Sequence, residues 1–306
     1  MPVFSQVSRF DLQEPLSRLI IGGSVQLQWS ADTPAVTDST DCAAVTWFYT
    51  PRPEDPRSLK RITTQFREDF SRGLGIEWDR IPPFGFDWNA DFEEAENRYF
   101  LRSSQKDAGP VVSQVELDQN SVLSVMVRPT TVSPQFAIGM RVQPNLNGYF
   151  IRQDGNSAKL MSGGRVLKEI RLTDIRRKRW YYYELGLRSW KRKDVEIRAR
   201  ILDEERRVLA CFPPVWERPQ DGKLLGPGAI ALYPKADFAE VYVDPWDSRW
   251  ISSNPNKANK FRWSTSNVAD GEYHVVAEIT ETRRPPRMVV SPFKLEIRNL
   301  GRAAKD

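Results

Sequence analysis

The sequence predicts an all-β protein of two β-sandwiches, one of them interrupted by the other. Three observations predict it. Apolar and polar residues alternate in short runs along most of the chain, as the side chains of half-buried strands do. Gly, Pro, Asn and Asp punctuate those runs at short intervals, where turns need them. Matching runs stand at the two ends of the chain, with a long stretch of further strands between them. No 3.6-residue apolar stripe of useful length appears, which argues against a helical or dinucleotide-binding architecture.

The chain has 306 residues, enough for two domains of ordinary size. Hydrophobic residues make up 40% and charged residues 28%, a globular composition and not that of a disordered chain. No apolar run approaches the length that spans a bilayer. The start, "MPVFSQVSRFDLQEPL", has no basic segment followed by an apolar core, so no signal peptide is visible. The expected location is cytoplasmic if Met1 is the native start and extracytoplasmic if the chain is a mature product. Cys42 and Cys211 lie far apart and form no CxxC pair, which excludes a disulfide framework and a cysteine zinc site. They are expected as two buried thiols, with a single disulfide as the alternative in a secreted protein.

Near the N-terminus, Val25, Leu27 and Trp29 alternate in "SVQLQWSAD", and Val45, Trp47 and Tyr49 alternate in "AAVTWFYTP". Near the C-terminus, Phe261 and Trp263 alternate, and Asp270-Gly271 marks a turn. Tyr273, Val275, Ala277 and Ile279 then alternate again, which reads as two strands joined by a tight turn. Phe293, Leu295 and Ile297 share one face of the last run. Two or three strands cannot bury a core alone, so the two ends are expected to form one sandwich, with Trp29 and Trp47 sharing a core with Trp263 and Tyr273. The segments "GGSVQLQWSAD", "VTWFY", "FRWSTSNVADGEYHVVAEITE" and "SPFKLEIRN" resemble, in order, the B, C, E–F and G strands of bacterial immunoglobulin-like domains. Trp263 to Tyr273 matches that family's W-[DS]-T-S-x-V-x-D-G-x-Y stretch. The resemblance covers about a third of the chain and implies a spacer or binding scaffold without chemistry.

The expected division is 1–64 for the first half of this domain, 65–247 for an insert, and 248–306 for the second half. Insertion is tolerated where a surface loop has its ends close together. Pro51, Pro53 and Pro56 mark the exit. Within the insert, Leu123, Val125 and Val127 alternate, as do Phe136, Ile138, Met140 and Val142, and later Val195, Ile197, Ala199 and Ile201. Two stacked antiparallel sheets, a jelly roll, follow from these runs. The order "FREDFSRGLGIEWDRI", "NRYFLRSS", "NGYFIRQDGNSAKLMSGG", "RRKRWYYYELGLRSW" and "GPGAIALYPKADFAEVYVDPW" resembles the concanavalin A-like lectin/glucanase group, especially its laminin-G-like bacterial members.

The glucanases of that group use E-x-D-x-x-E, since two carboxylates must flank the glycosidic bond. The motif is absent. In "DFEEAEN", Asp91, Glu93 and Glu96 share its spacing with the acid types exchanged, and a solvated hairpin is the expected reading. His274 is the single histidine and lies on the outward parity of its strand, so neither a Ser-His-Asp nor a Cys-His arrangement is supported. Asp154, Asn156 and Asp237 carry oxygens of the kind calcium takes, but no EF-hand spacing supports them, and no cofactor is expected. Nucleotide-binding glycine motifs are missing.

One stretch departs from an ordinary surface. Residues 165–207 hold fifteen Lys and Arg against eight Asp and Glu, a balance of +7, while the whole chain carries +5. Trp180, Tyr181, Tyr182, Tyr183 and Trp190 are interleaved with the charge. A lattice of surface Arg and Glu is one reading. Docking onto an acidic protein or an anionic lipid surface is another. Nucleic acid is disfavoured, because no nucleic-acid-binding motif accompanies the charge. The expectation is a non-catalytic binding or assembly protein, an accessory subunit that docks a protein partner or larger complex through Arg176, Arg177, Lys178, Arg179, Arg188, Lys191, Arg192 and Lys193. Trp180 and Trp190 are expected to anchor the contact. A glycan-binding lectin-like module is the alternative, and glycoside hydrolysis stands third.

Overall fold

The computed structural model describes residues 7, 9–32, 42–62, 65–74, 78–80, 88–103, 109–115, 117–173, 175–190, 193–220, 222–251, 258–282 and 284–299. Strands dominate them, and the α-helix among them, Trp246–Arg249, has a single turn. No helix among the described residues is long and apolar enough to cross a membrane. The chain divides into two compact units, Met1–Thr64 with Asp247–Asp306, and Gln65–Trp246.

In the first unit, strands from both ends of the chain pair directly. Ser24–Asp32 lies between Arg9–Gln13 and Asn259–Ser264 in a three-stranded sheet. Ala44–Thr50 pairs with Gly271–Thr280, which pairs with Arg287–Arg298, in a five-stranded sheet. The apolar parities of the two sheets meet in one core, where Trp29, Trp47, Trp263 and Tyr273 are all buried. Rings from opposite sheets touch, Trp29 with Trp47 at 5.8 Å and Tyr49 with Trp263 at 5.1 Å between centroids. Such pairs add about 0.5–1.5 kcal/mol each beyond their buried area. The two strands on either side of Asp270-Gly271, expected to be joined by a tight turn, are not hydrogen-bonded to each other. One joins each sheet, because both carry an apolar face and the two faces pack across the sandwich. At that corner the Tyr273 hydroxyl donates to the Ala269 carbonyl at 2.9 Å. The cysteine expectation is corrected as well: neither Cys42 nor Cys211 is a free thiol, and both are disulfide-bonded. Separation along a chain carries no information about where a thiol lies after folding.

In the second unit, a seven-stranded sheet packs on a nine-stranded sheet. Leu123, Val125 and Val127 from Ser121–Pro129 meet Ile138 and Met140 from Gln135–Val142 in the shared core. Val142, expected on the same parity, faces the other way, in a small cluster with Phe150 and Ala231. The register shifts between Gly139 and Val142, and Arg141 takes the left-handed φ of 51°. A bulge adds one residue and turns the following side chain to the opposite face. The core-facing hydroxyl of Tyr183 donates to Gln153 at 3.0 Å, and burial pushes its phenol well above the ordinary value.

Candidate functional site

The outer face of the nine-stranded sheet is built of alternating cations and rings. On Arg98–Ser103, alternation puts Arg98, Phe100 and Arg102 on the face opposite core residue Leu101. The Arg102 and Arg128 guanidinium groups each stand 4.8 Å from the Phe100 ring. Arg128 and Arg98 flank Trp180 at 4.6 and 5.1 Å. Trp180 is therefore a layer within the wall, 1% exposed, with its indole N–H donated to Glu96. The anchoring role expected for it is corrected, because guanidinium groups cover the ring.

Carboxylates lock this wall. Asp237, 1% exposed, accepts from Arg102 at 2.8 and 3.0 Å and from Arg128 at 2.9 Å. Arg128 also donates to Glu93, and Arg98 reaches Glu96 at 3.3 Å. Glu93 and Glu96 do stand at an exposed hairpin turn, residues 94–97, between the paired strands Trp88–Glu93 and Arg98–Ser103, with one oxygen of each carboxylate held by a donor of the wall. Asp237 is likewise committed to guanidinium groups, and Asp154 accepts from Lys159 at 2.9 Å, which holds its carboxyl below the usual carboxylate range. Among the described residues no group of three His, Cys, Asp or Glu is placed to hold a metal ion.

Beside the wall lies a cavity of about 950 Å³. Arg128 and Asp237 line one side of it, and Thr130, Thr131, Ser133 and Gln135 supply hydroxyl and amide groups. Arg177, Lys178 and Lys235 add positive charge, and among the described residues none of these three is in an ion pair. Lys178 and Lys235 both take left-handed backbone, with φ of 61° and 78°. Two bonds hold these turns: the Lys178 N–H donates to the Pro129 carbonyl at 2.9 Å, and the Thr130 hydroxyl donates to the Lys235 carbonyl at 3.1 Å. Left-handed backbone costs a residue with a Cβ on the order of 1–2 kcal/mol, so a lysine there is a strained choice where glycine would not be.

The basic run is not one face. Arg176, Arg177, Lys178 and Arg179 are exposed before the strand Tyr181–Ser189, while Arg188 and Trp190 stand at its far end. Nine residues of strand separate the two groups by roughly 25–30 Å. At the far end Arg188 covers Trp190 at 4.6 Å, and Trp190 meets the exposed Trp216 at 5.3 Å. Lys193 is exposed there, and Lys191 and Arg192 lie outside the described residues. Arg177 and Lys178 are the predicted residues that reach the cavity; Lys235 and Arg128, which join them there, stood apart in the sequence, with "RPTT" and "YPKAD" as the local signals.

No family model matches this sequence, and no curated protein matches it. Among solved structures it is similar to the carbohydrate-binding module CBM66 from Bacillus subtilis, at 14% identity and a TM-score of 0.34 over 52% of this chain and 95% of that one. It is similar to the Bacillus licheniformis β-glucanase at 13% identity and a TM-score of 0.35, over 72% and 98%. It is similar to the Caenorhabditis elegans galectin LEC-6 at 15% identity and a TM-score of 0.29, over 44% and 90%. At these values the likeness carries no role across.

Proposed function

We propose that this chain is a non-catalytic binding protein whose Gln65–Trp246 unit holds an anionic, hydroxyl-rich ligand, an acidic saccharide, in the cation-rimmed cavity. The cavity carries the reading. Its volume of about 950 Å³ suits a small ligand, whereas a protein partner is met across a broad face of roughly 800 Å². Arg177, Lys178 and Lys235, in no ion pair among the described residues, supply charge for a carboxylate or sulfate, and the Thr, Ser and Gln groups match sugar hydroxyls. Non-catalytic action is supported by the commitment of Glu93, Glu96 and Asp237 to Arg and Trp donors.

The interrupted sandwich is read as an immunoglobulin-like scaffold. The corner bond from Tyr273 to Ala269 supports this, since a tyrosine closing the turn into its strand is a feature of that fold. The disulfide state of both cysteines supports an extracytoplasmic location, where oxidised pairs persist.

The test is calorimetric titration with digalacturonate and with maltose across a salt series. Digalacturonate should bind and weaken as salt screens the rim charges over about 8 Å at physiological strength. Maltose should not bind. Equal binding of the two sugars, or affinity indifferent to salt, would remove the reading. A native protein partner retained by variants of Lys178 and Lys235 would favour docking through another surface.

A further inference from the structure

The cavity does not end at Lys235. A second cavity, of about 500 Å³, shares Gln135 and Lys235 with it, and those two side chains touch, Lys235 Nζ lying 3.5 Å from the Gln135 oxygen. Their contact forms the ridge between the two spaces.

The sequence builds this second space on the outer face of the seven-stranded sheet. Three strands lie side by side there: Ala229–Tyr233, Gln135–Val142 and Tyr149–Asp154. Residues directly opposite one another share a face, so two rows cross the sheet. One row is Tyr233, Ala137 and Arg152. The next is Ala231, Gly139 and Phe150, continued by Met161. The small residues make a floor, and Tyr233, Phe150 and Met161 rise around it. Gly139 is required: a Cβ there would sit 2.4 Å from the Phe150 ring, which lies over it. Phe150 and Tyr233 meet edge to face at 5.6 Å, and burial raises the Tyr233 phenol above its ordinary value.

The charges follow the same line. Lys235 and Arg152 are the charged residues of this second cavity, and no carboxylate lines it among the described residues. Arg152 is exposed on its strand. Cations therefore recur from Arg177 and Lys178, across Lys235 on the ridge, to Arg152. Each cavity alone falls within the roughly 300–1,000 Å³ that holds one small ligand, so the two together exceed one.

We infer that the two cavities form one groove for a chain-like polyanionic saccharide, with charge on successive sugar units. The inference rests on the acidic-saccharide reading of the first cavity and extends it from a single site to at least two subsites. A single-stranded nucleic acid is the less suited polyanion, because bases need open aromatic faces to stack on and Phe150 is 7% exposed.

The experiment titrates the full chain with galacturonate oligomers of two, four and six units, a heparin-derived tetrasaccharide, maltotetraose and an oligothymidylate, using the wild type and Arg152→Ala. One additional charge-assisted contact is worth about tenfold in affinity. The tetramer should therefore bind about tenfold tighter than the dimer in the wild type. Arg152→Ala, a change of an exposed side chain, should erase that gain and leave the dimer's affinity unchanged. Tighter binding of the heparin-derived tetrasaccharide than of tetragalacturonate would place the charge on sulfate and not carboxylate, and would support the groove equally if Arg152→Ala weakens it. Dimer and tetramer of equal affinity, or a length dependence that survives Arg152→Ala, would overturn the groove while leaving the single site standing. Failure of every anionic sugar to bind would overturn both, as would preference for maltotetraose or the oligothymidylate.

Discussion

Replacing Lys178 and Lys235 together by glycine separates ligand binding from folding. Both residues sit in left-handed turns, at φ of 61° and 78°. Glycine relieves about 1–2 kcal/mol of steric cost at each position and gives back roughly 0.5–1 kcal/mol through the looser unfolded chain. The turns keep their bonds, since one uses the Lys178 N–H and the other the Lys235 carbonyl, both of which glycine retains. Stability should thus stay level or rise by up to about 3 kcal/mol over the two positions, a shift of up to roughly 6–12 °C in Tm for a unit of this size. Binding should behave oppositely. Each lost charge-assisted contact to a carboxylate is worth about 1.5–3 kcal/mol, so digalacturonate affinity should fall by at least about tenfold per lysine. Thermal unfolding reads the first effect and calorimetric titration the second. A double variant that binds as the wild type does would show that the lysines do not face the ligand. One that unfolds well below the wild type would show that the left-handed turns are not what lysine strains.

Gly139→Ala should destabilise the protein by about 1–3 kcal/mol in urea unfolding, because the new methyl meets the Phe150 ring at 2.4 Å; a neutral effect would mean the ring has room to move. Trp180→Ala should cost about 3–5 kcal/mol, as it empties a layer between Arg128 and Arg98, while Arg179→Glu on the exposed loop should change stability by less than about 0.5 kcal/mol; comparable losses for the two would contradict the burial difference. Burial raises the phenols of Tyr183 and Tyr149 above their ordinary value of 10, so the folded state holds their protons longer than the unfolded state does. Their contribution is fully present below pH 10 and is lost as pH rises beyond it, so denaturant midpoints should fall in that range and phenolate absorbance should appear with unfolding; titration of all tyrosines before unfolding would refute this.

Period-two alternation was enough to identify the strands and most of their inward faces. Trp29, Trp47, Trp263 and Tyr273 share a core because each lies on the apolar parity of its strand, and that parity is written locally. Alternation failed at Val142, where the bulge at Arg141 resets which face follows, a backbone event that residue types do not announce. The exposed anchor expected at Trp180 was not found, because its covering by Arg98 and Arg128 depends on strands distant in sequence. The basic run from Arg176 to Lys193 looked like one patch because charge was counted along the chain. In space, the length of Tyr181–Ser189 carries its two ends apart. The cavity is the converse case. Lys178, Lys235, Arg128 and Thr130 come from separate loops and strand ends, and only sheet pairing brings them to one rim. Strand composition alone determined that this is an all-β protein, since alternation is a local property of neighbouring residues. Which charges face one another was left to the tertiary structure, because Coulomb and hydrogen-bond partners are chosen by distance through space, which residue order does not encode.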